Sequence, residues 1–93
     1  MIYEVIWTSR FKQTFKLAQK RGLPVEELMD VVEKLRTDQT LEEKYHDHEL
    51  KGKLKGIREL HIQPDWLLCY KKTLSTLTLT LISTGSHSDL FKS

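Results

Sequence analysis

The sequence predicts one α+β domain over residues 1–93: an antiparallel β-sheet of about four strands with an N-terminal helical hairpin packed on one face. Three observations predict it. Two early stretches repeat apolar residues at helical spacing. Three later stretches run apolar or alternate over strand lengths, with short turns between them. Finally, 93 residues hold only one core, because two halves would each be too small to offset their ordering entropy.

The first element is a strand from Ile2 to Trp7. Ile2 and Ile6 face one way and Tyr3, Val5 and Trp7 the other, so both faces are apolar and the strand is expected to be well covered. Thr8-Ser9 follows, where a side-chain oxygen can accept from an orphan helix N–H. Phe11, Phe15 and Ala18 then stand at i, i+4 and i+7, one helical stripe. Lys20 and Arg21 suit the negative end of that helix, and Gly22 can end it. Pro24 is expected at the first position of a second helix, with Glu26 and Glu27 in its first turn and Lys34 and Arg36 at its close. Its stripe is Val25, Leu28, Val32 and Leu35, and the polar Thr37-Asp38-Gln39-Thr40 run releases it. The short link between the helices favours an antiparallel pair.

Residues 41–53 read as polar and irregular. Leu54 to Ile62, Trp66 to Lys71 and Leu77 to Ser83 read as strands; in the last, Thr76, Thr78 and Thr80 alternate with Leu77, Leu79 and Leu81. Pro64-Asp65 suits a tight turn because proline presets its first central angle, and Lys72 to Ser75 makes the second turn. The three form an antiparallel meander that the early strand is expected to join. Gly85 permits a sharp exit, and Ser86 can cap a last helical turn that carries His87.

Hydrophobic residues make up 39% and charged residues 30% of the chain, which places it among soluble globular proteins. No stretch approaches the ~20 apolar residues of a membrane span, and the N-terminus lacks the basic start and apolar run of a signal peptide. The lone Cys69 cannot form an internal disulfide and sits in an apolar run, so it reads as a small core residue in a cytoplasmic protein. The net charge of +2 is segregated: residues 1–23 carry five basic residues against one acid, residues 24–50 nine acids against three bases, and residues 51–72 six bases against two acids. A basic block beside the Pro-Asp turn fits a phosphate backbone, and it equally fits a solvated surface.

The titratable groups cluster around that turn. His61 precedes it, Asp65 lies in it, His46 and His48 lie in the irregular segment, and His87 follows the last strand. A histidine exchanges a proton near neutral pH. Two histidines, or one with a carboxylate, suffice to cleave RNA: one group takes the ribose 2′-OH proton, the 2′ oxygen attacks its own phosphate, and another group protonates the departing 5′ oxygen. The same residues allow other readings. Each histidine can be structural, and His46-Asp47-His48 with His61 or Asp65 could ligate zinc. Trp66 can be a core residue or a base-stacking platform, and Phe91 a staple onto the core or a surface that meets a base.

The stretch "KYHDHELKGKLKGIRELHIQPDWLLCYKK" and the terminal "STGSHSDLF" resemble the YafQ-like branch of the RelE/ParE toxin superfamily. The resemblance spans nearly the whole chain and rests on the "FKLAQKRG" helix end, the Asp-His-x-Leu-x-Gly segment, the His-x-x-Pro-Asp-Trp hairpin and the terminal Thr-Gly-x-His-x-x-Leu-Phe. It implies a RelE-like fold and a toxin of a type II toxin–antitoxin pair, an endoribonuclease that cuts translated mRNA in the ribosomal A site with neither metal nor other cofactor. The implied catalytic residues are His48, His61, Asp65 and His87. His87 would be the general acid, Asp65 or His48 the base, and His61 the group that holds the phosphate or orients a partner. Trp66 would pack beneath the site and contribute to substrate binding, Phe91 would position the nucleotide, and Lys51, Lys53, Lys55 and Arg58 would hold phosphates. The implied partners are mRNA, the ribosome and a cognate antitoxin, with the toxin monomeric alone and hetero-oligomeric with its antitoxin. Other branches keep the fold without these histidines and act on gyrase, so a non-catalytic toxin is the alternative, beside a plain RNA-binding module.

Overall fold

The chain folds into a five-stranded sheet backed by two helices on one face, in a computed structural model that describes residues 1–90. Phe91, expected to position a nucleotide, lies outside the described residues. The elements in chain order are β1 (Glu4–Trp7), α1 (Ser9–Lys20), α2 (Val25–Arg36), β2 (His48–Glu49), β3 (Arg58–Gln63), β4 (Trp66–Thr73), β5 (Thr78–Gly85) and the short α3 (His87–Leu90). The sheet order is β1-β5-β4-β3-β2.

The α+β class, the helical pair and the β3–β4–β5 meander match the sequence reading. The bounds shift, since β3 begins at Arg58 after a helical turn at Gly52–Leu54 where a strand was expected from Leu54, and β4 runs on to Thr73. Two features of the sheet also differ. First, β1 runs parallel to β5, because the helices and the meander intervene between them and supply the long connection that parallel pairing needs. Second, two residues inside the segment expected to be irregular, His48 and Glu49, pair antiparallel with Glu59 and Arg58 and add a fifth strand.

Helix α1 starts where Thr8 accepts a hydrogen bond from the Phe11 N–H, and its Thr8 hydroxyl also donates to the Leu81 carbonyl at 2.9 Å, which ties the helix start to β5. It ends in a Schellman turn: the Gly22 N–H reaches Gln19 and the Leu23 N–H reaches Ala18, with Gly22 at φ +77°. Pro24 caps α2 from one position earlier than expected. The α1 stripe packs on β5 and α2 packs on β3. Phe11, Ala18, Leu28, Val31, Val32 and Leu35 from the helices meet Leu60, Trp66, Leu68, Tyr70, Leu79 and Leu81 from the sheet. Tyr3, Val5 and Trp7 join them, whereas Ile2 and Ile6 stay exposed. The expectation of a well-covered first strand is therefore half right. A single helical layer covers one face only.

That one-sidedness decides the site. In β3, Leu60 and Ile62 turn to the helices, so Glu59 and His61 turn to the opposite face. In β4, Trp66, Leu68 and Tyr70 turn to the core and Leu67 and Cys69 away. In β5, Cys69 pairs with Ser83 and Tyr70 with Leu81, which leaves Ile82 as a bulge. The bulge resets the alternation and moves Ser83 from the Leu79–Leu81 face to the face of Glu59.

Candidate active site

Four segments converge on the face opposite the helices. The row His48–Glu59–Cys69–Ser83 runs straight across β2, β3, β4 and β5 by register. Glu59 sits inside this row and is 3% exposed. A buried carboxylate is costly unless paired. Among the described residues, the groups of opposite charge within 4 Å of it are three histidines and no lysine or arginine. Its Oε1 lies 3.4 Å from His87 Nε2, 3.8 Å from His48 Nε2 and 3.9 Å from His61 Nε2. The 3.8 and 3.9 Å separations are too long for hydrogen bonds but short for Coulombic attraction to an imidazolium. The His61 and His87 ring centroids are 5.9 Å apart, and the His46 ring stands edge-on to His61 at 5.6 Å.

The backbone fixes which nitrogen faces the carboxylate. His48 Nδ1–H donates to the His46 carbonyl at 2.6 Å, and His61 Nδ1–H donates to the Pro64 carbonyl at 3.1 Å. A ring nitrogen against a carbonyl must carry the proton, so the neutral ring presents a lone pair at Nε2. The Pro-Asp turn therefore does more than reverse the chain, because the Pro64 carbonyl sets the His61 tautomer.

His48 is held by its neighbour. Asp47 points to the helix side, where it accepts from the Tyr70 hydroxyl at 2.6 Å and from Arg58 Nε at 3.3 Å. Alternation along the strand then sends His48 to the other face. Burial, followed by the Asp47 contact, pushes the Tyr70 hydroxyl pKa up, so it remains a donor. The Cys69 thiol, pushed up to about 11 chiefly by burial, stays protonated and inert, in line with the core role expected for it.

His87 rides on α3. Ser86 and Asp89 form a reciprocal cap: the Asp89 N–H donates to Ser86 Oγ at 3.2 Å and the Ser86 N–H to Asp89 Oδ2 at 3.0 Å. The cap expected at Ser86 is present.

Of the residues singled out in the sequence, His48, His61 and His87 are brought together. Asp65 lies exposed in the β3–β4 turn at the same end of the sheet, with no hydrogen bond or ion pair to another described residue. Lys51, Lys53 and Lys55 are exposed on the loop between β2 and β3, whose Leu50, Leu54 and Ile57 line a groove of about 100 Å³ with Cys69, Ser83 and Leu90. Two expectations are corrected. Arg58 belongs to the helix side, opposite Tyr70 in register and bound to Asp47, so its charge is committed away from the histidines. Trp66 is 2% exposed within the core, so no base can stack on it; it supports the turn from beneath, as the packing half of the expectation had it.

The sequence reading missed Glu59, which had entered only as one negative charge in a basic block. A signal was available: once Leu60 and Ile62 are assigned to the core, Glu59 and His61 must share the other face. Two depressions of about 600 and 590 Å³ are lined by residues such as Leu35, Arg58 and Tyr70 or Glu27, Val31 and Tyr45, and none of Glu59, His48, His61 or His87 lines either.

The profile of a family described as a bacterial toxin of type II toxin–antitoxin systems, YafQ, matches residues 3–92. The chain is 35% identical over 89 residues to the mRNA interferase toxin YafQ of Escherichia coli K12, covering 95% of each chain. It superposes on the toxin in the E. coli DinJ–YafQ toxin–antitoxin complex with a TM-score of 0.89 at 34% identity, covering 98% of this chain and 99% of that one. A metal-bound toxin from Helicobacter pylori is similar at a TM-score of 0.90 and 42% identity, over 98% of this chain and all of that one.

Proposed function

Since the chain belongs to the YafQ family of bacterial toxins of type II toxin–antitoxin systems, we propose that it is an mRNA interferase that cleaves translated mRNA in the ribosomal A site. The observation that carries the chemistry is the approach of three imidazole Nε2 atoms to one buried carboxylate oxygen. Members of such a cluster can hold and release protons at positions a few ångströms apart, which is what a transesterification at phosphorus requires.

His48, its Nδ1 occupied by the His46 carbonyl, takes the 2′-OH proton at Nε2. The 2′ oxygen attacks the adjacent phosphorus. His87, the most exposed of the three Nε2 partners, delivers a proton to the 5′ oxygen as the P–O5′ bond breaks. The products are a 2′,3′-cyclic phosphate and a 5′-hydroxyl, so no water, metal or redox partner enters the balance. His61 holds the phosphate, and Asp65 accepts from a ribose hydroxyl at the turn. Glu59 keeps the imidazoles gathered and favours positive charge where the crowded phosphorane turns more negative. Lys51, Lys53 and Lys55 track the RNA phosphates.

The whole chain acts as one domain in the cytoplasm, where ribosomes translate; among the described residues no helix is long and apolar enough to cross a membrane. Its restraint is a cognate antitoxin, as DinJ accompanies the E. coli relative; the free toxin is a monomer and the complex a hetero-oligomer. The test is cleavage of a defined mRNA in a reconstituted translation system. Cuts at fixed positions within codons that require translating ribosomes are expected. Intact mRNA, or supercoiling inhibition in place of cleavage, would move the chain to the gyrase-directed branch.

A further inference from the structure

We propose that Arg21, at the far end of α1, is a positioning residue for His87, acting through Asp89; the activity readout below rests on the ribonuclease reading. A helix of four residues does not persist by itself, because one turn does not repay the order it imposes. None of the α3 residues is buried. Yet His87 must keep its Nε2 at 3.4 Å from Glu59 and its ring 5.9 Å from that of His61. Something outside α3 has to fix its pose.

Arg21 supplies a fixed point. It occupies the C-cap of α1, where the Schellman turn through Gly22 and Leu23 sets its backbone. Its Nη1 donates to Asp89 Oδ2 at 2.7 Å and its Nη2 approaches Asp89 Oδ1 at 3.5 Å, across 68 residues of sequence. The same Asp89 caps Ser86, so one carboxylate closes the α3 turn from inside and anchors it from outside. The Arg21 contact and the Ser86 N–H together hold the Asp89 carboxyl at about 2, so the anchor stays charged across the working range of pH. Gly85 completes the device: a Cβ there would lie 3.0 Å from Asp89 Cβ, so only glycine lets the turn fold this tightly onto the strand end. Exposed ion pairs contribute little to global stability, and Arg21 and Asp89 side chains are 49% and 28% exposed. The pair therefore acts on the local pose of α3 more than on the fold.

The experiment compares the full chain with Arg21→Ala, Arg21→Lys, Asp89→Ala and the double alanine variant, in single-turnover cleavage of ribosome-bound mRNA. Arg21→Ala is expected to lower the rate at saturation about tenfold, since partial release of a reacting group costs less than the ~10² of a full misplacement. The concentration giving half-maximal rate should not change, and the melting temperature should stay within about 5 °C. Arg21→Lys should recover part of the rate, and the double variant should lose no more than Asp89→Ala. Nuclear Overhauser contacts between the His61 and His87 rings should weaken in Arg21→Ala. A wild-type rate in Arg21→Ala, a loss confined to half-saturation, additive losses in the double variant, or unchanged ring contacts would each overturn the proposal. If the unaltered chain does not cleave at all, the ribonuclease reading fails, and the ring contacts alone decide the positioning role.

Discussion

Glu59→Gln tests the carboxylate at the centre of the site. Glutamine keeps the shape and burial of the side chain and removes its charge. Two unit charges 3.4 Å apart, the Glu59–His87 separation, attract by roughly 5 kcal/mol at an effective dielectric near 20 and by about 1 kcal/mol in bulk water. The Glu59 side chain is 4% exposed but that of His87 is 57% exposed, so solvent screening brings the pair well below the upper figure, to about 2 kcal/mol. That corresponds to a fall of about 30-fold in the rate of a step that needs the imidazolium. Stability should change by less than about 1 kcal/mol, because losing the attraction also relieves the cost of burying the charge. The assay is single-turnover cleavage at pH 7.5, with urea unfolding alongside. Wild-type cleavage by Glu59→Gln at pH 7.5, or a loss matched by a collapse in stability, would refute the reasoning.

Other outcomes follow from the same geometry. His87→Gln should lower cleavage by roughly 10²–10⁴ while leaving the fold intact, read by cleavage and circular dichroism; the ring is mostly exposed, so little packing is lost. Replacing Lys51, Lys53 and Lys55 together by alanine should weaken RNA binding and reduce the slope of log affinity against log salt by about 2, measured by titration at several salt concentrations. Asp47→Ala should cost about 1–3 kcal/mol in urea unfolding, because it leaves the Tyr70 hydroxyl and Arg58 without their shared acceptor, and should slow cleavage by freeing His48. Asp89 titrates at about 2 in the fold, below an ordinary aspartate near 3.9, so its contribution is present above the ordinary value and is lost as pH falls from about 4 to 2. Arg21→Ala should flatten the acid unfolding curve over that interval.

Much of the fold was legible because its periods are long enough to count. The Phe11–Ala18 and Val25–Leu35 stripes marked the helices, and the Thr–Leu alternation before Ser83 marked β5. Strand β2 was not legible, since two residues hold no period and His48 and Glu49 become a strand only by pairing with β3. In β4, Trp66 and Leu67 are both apolar and buried, so alternation could not tell which looked toward the helices. In β3 the alternation that turns Leu60 and Ile62 to the helices turns Arg58 there too, but a long cationic side chain suits RNA as well as an internal carboxylate. The three histidines were legible as a set through the family resemblance. The facing of Glu59 beside His61 could be read from the alternation but its burial could not, because that comes from neighbours far along the chain: Cys69 and Ser83 beside it in the sheet, and α3 with the β2–β3 loop near that face. The bulge at Ile82, which turns Ser83 to the face of Glu59, falls where the threonine–leucine alternation breaks at Leu81-Ile82-Ser83-Thr84, and that break does not say which residue is the extra one.

The most direct test of the central chemistry is a single 2′-deoxy substitution at the nucleotide 5′ to the scissile phosphate, in an mRNA held on translating ribosomes. The account predicts no cleavage there, and a 2′,3′-cyclic phosphate on the fragment from the all-ribose message. Cleavage of the deoxy message at an undiminished rate, leaving a 3′-hydroxyl and a 5′-phosphate, would contradict it.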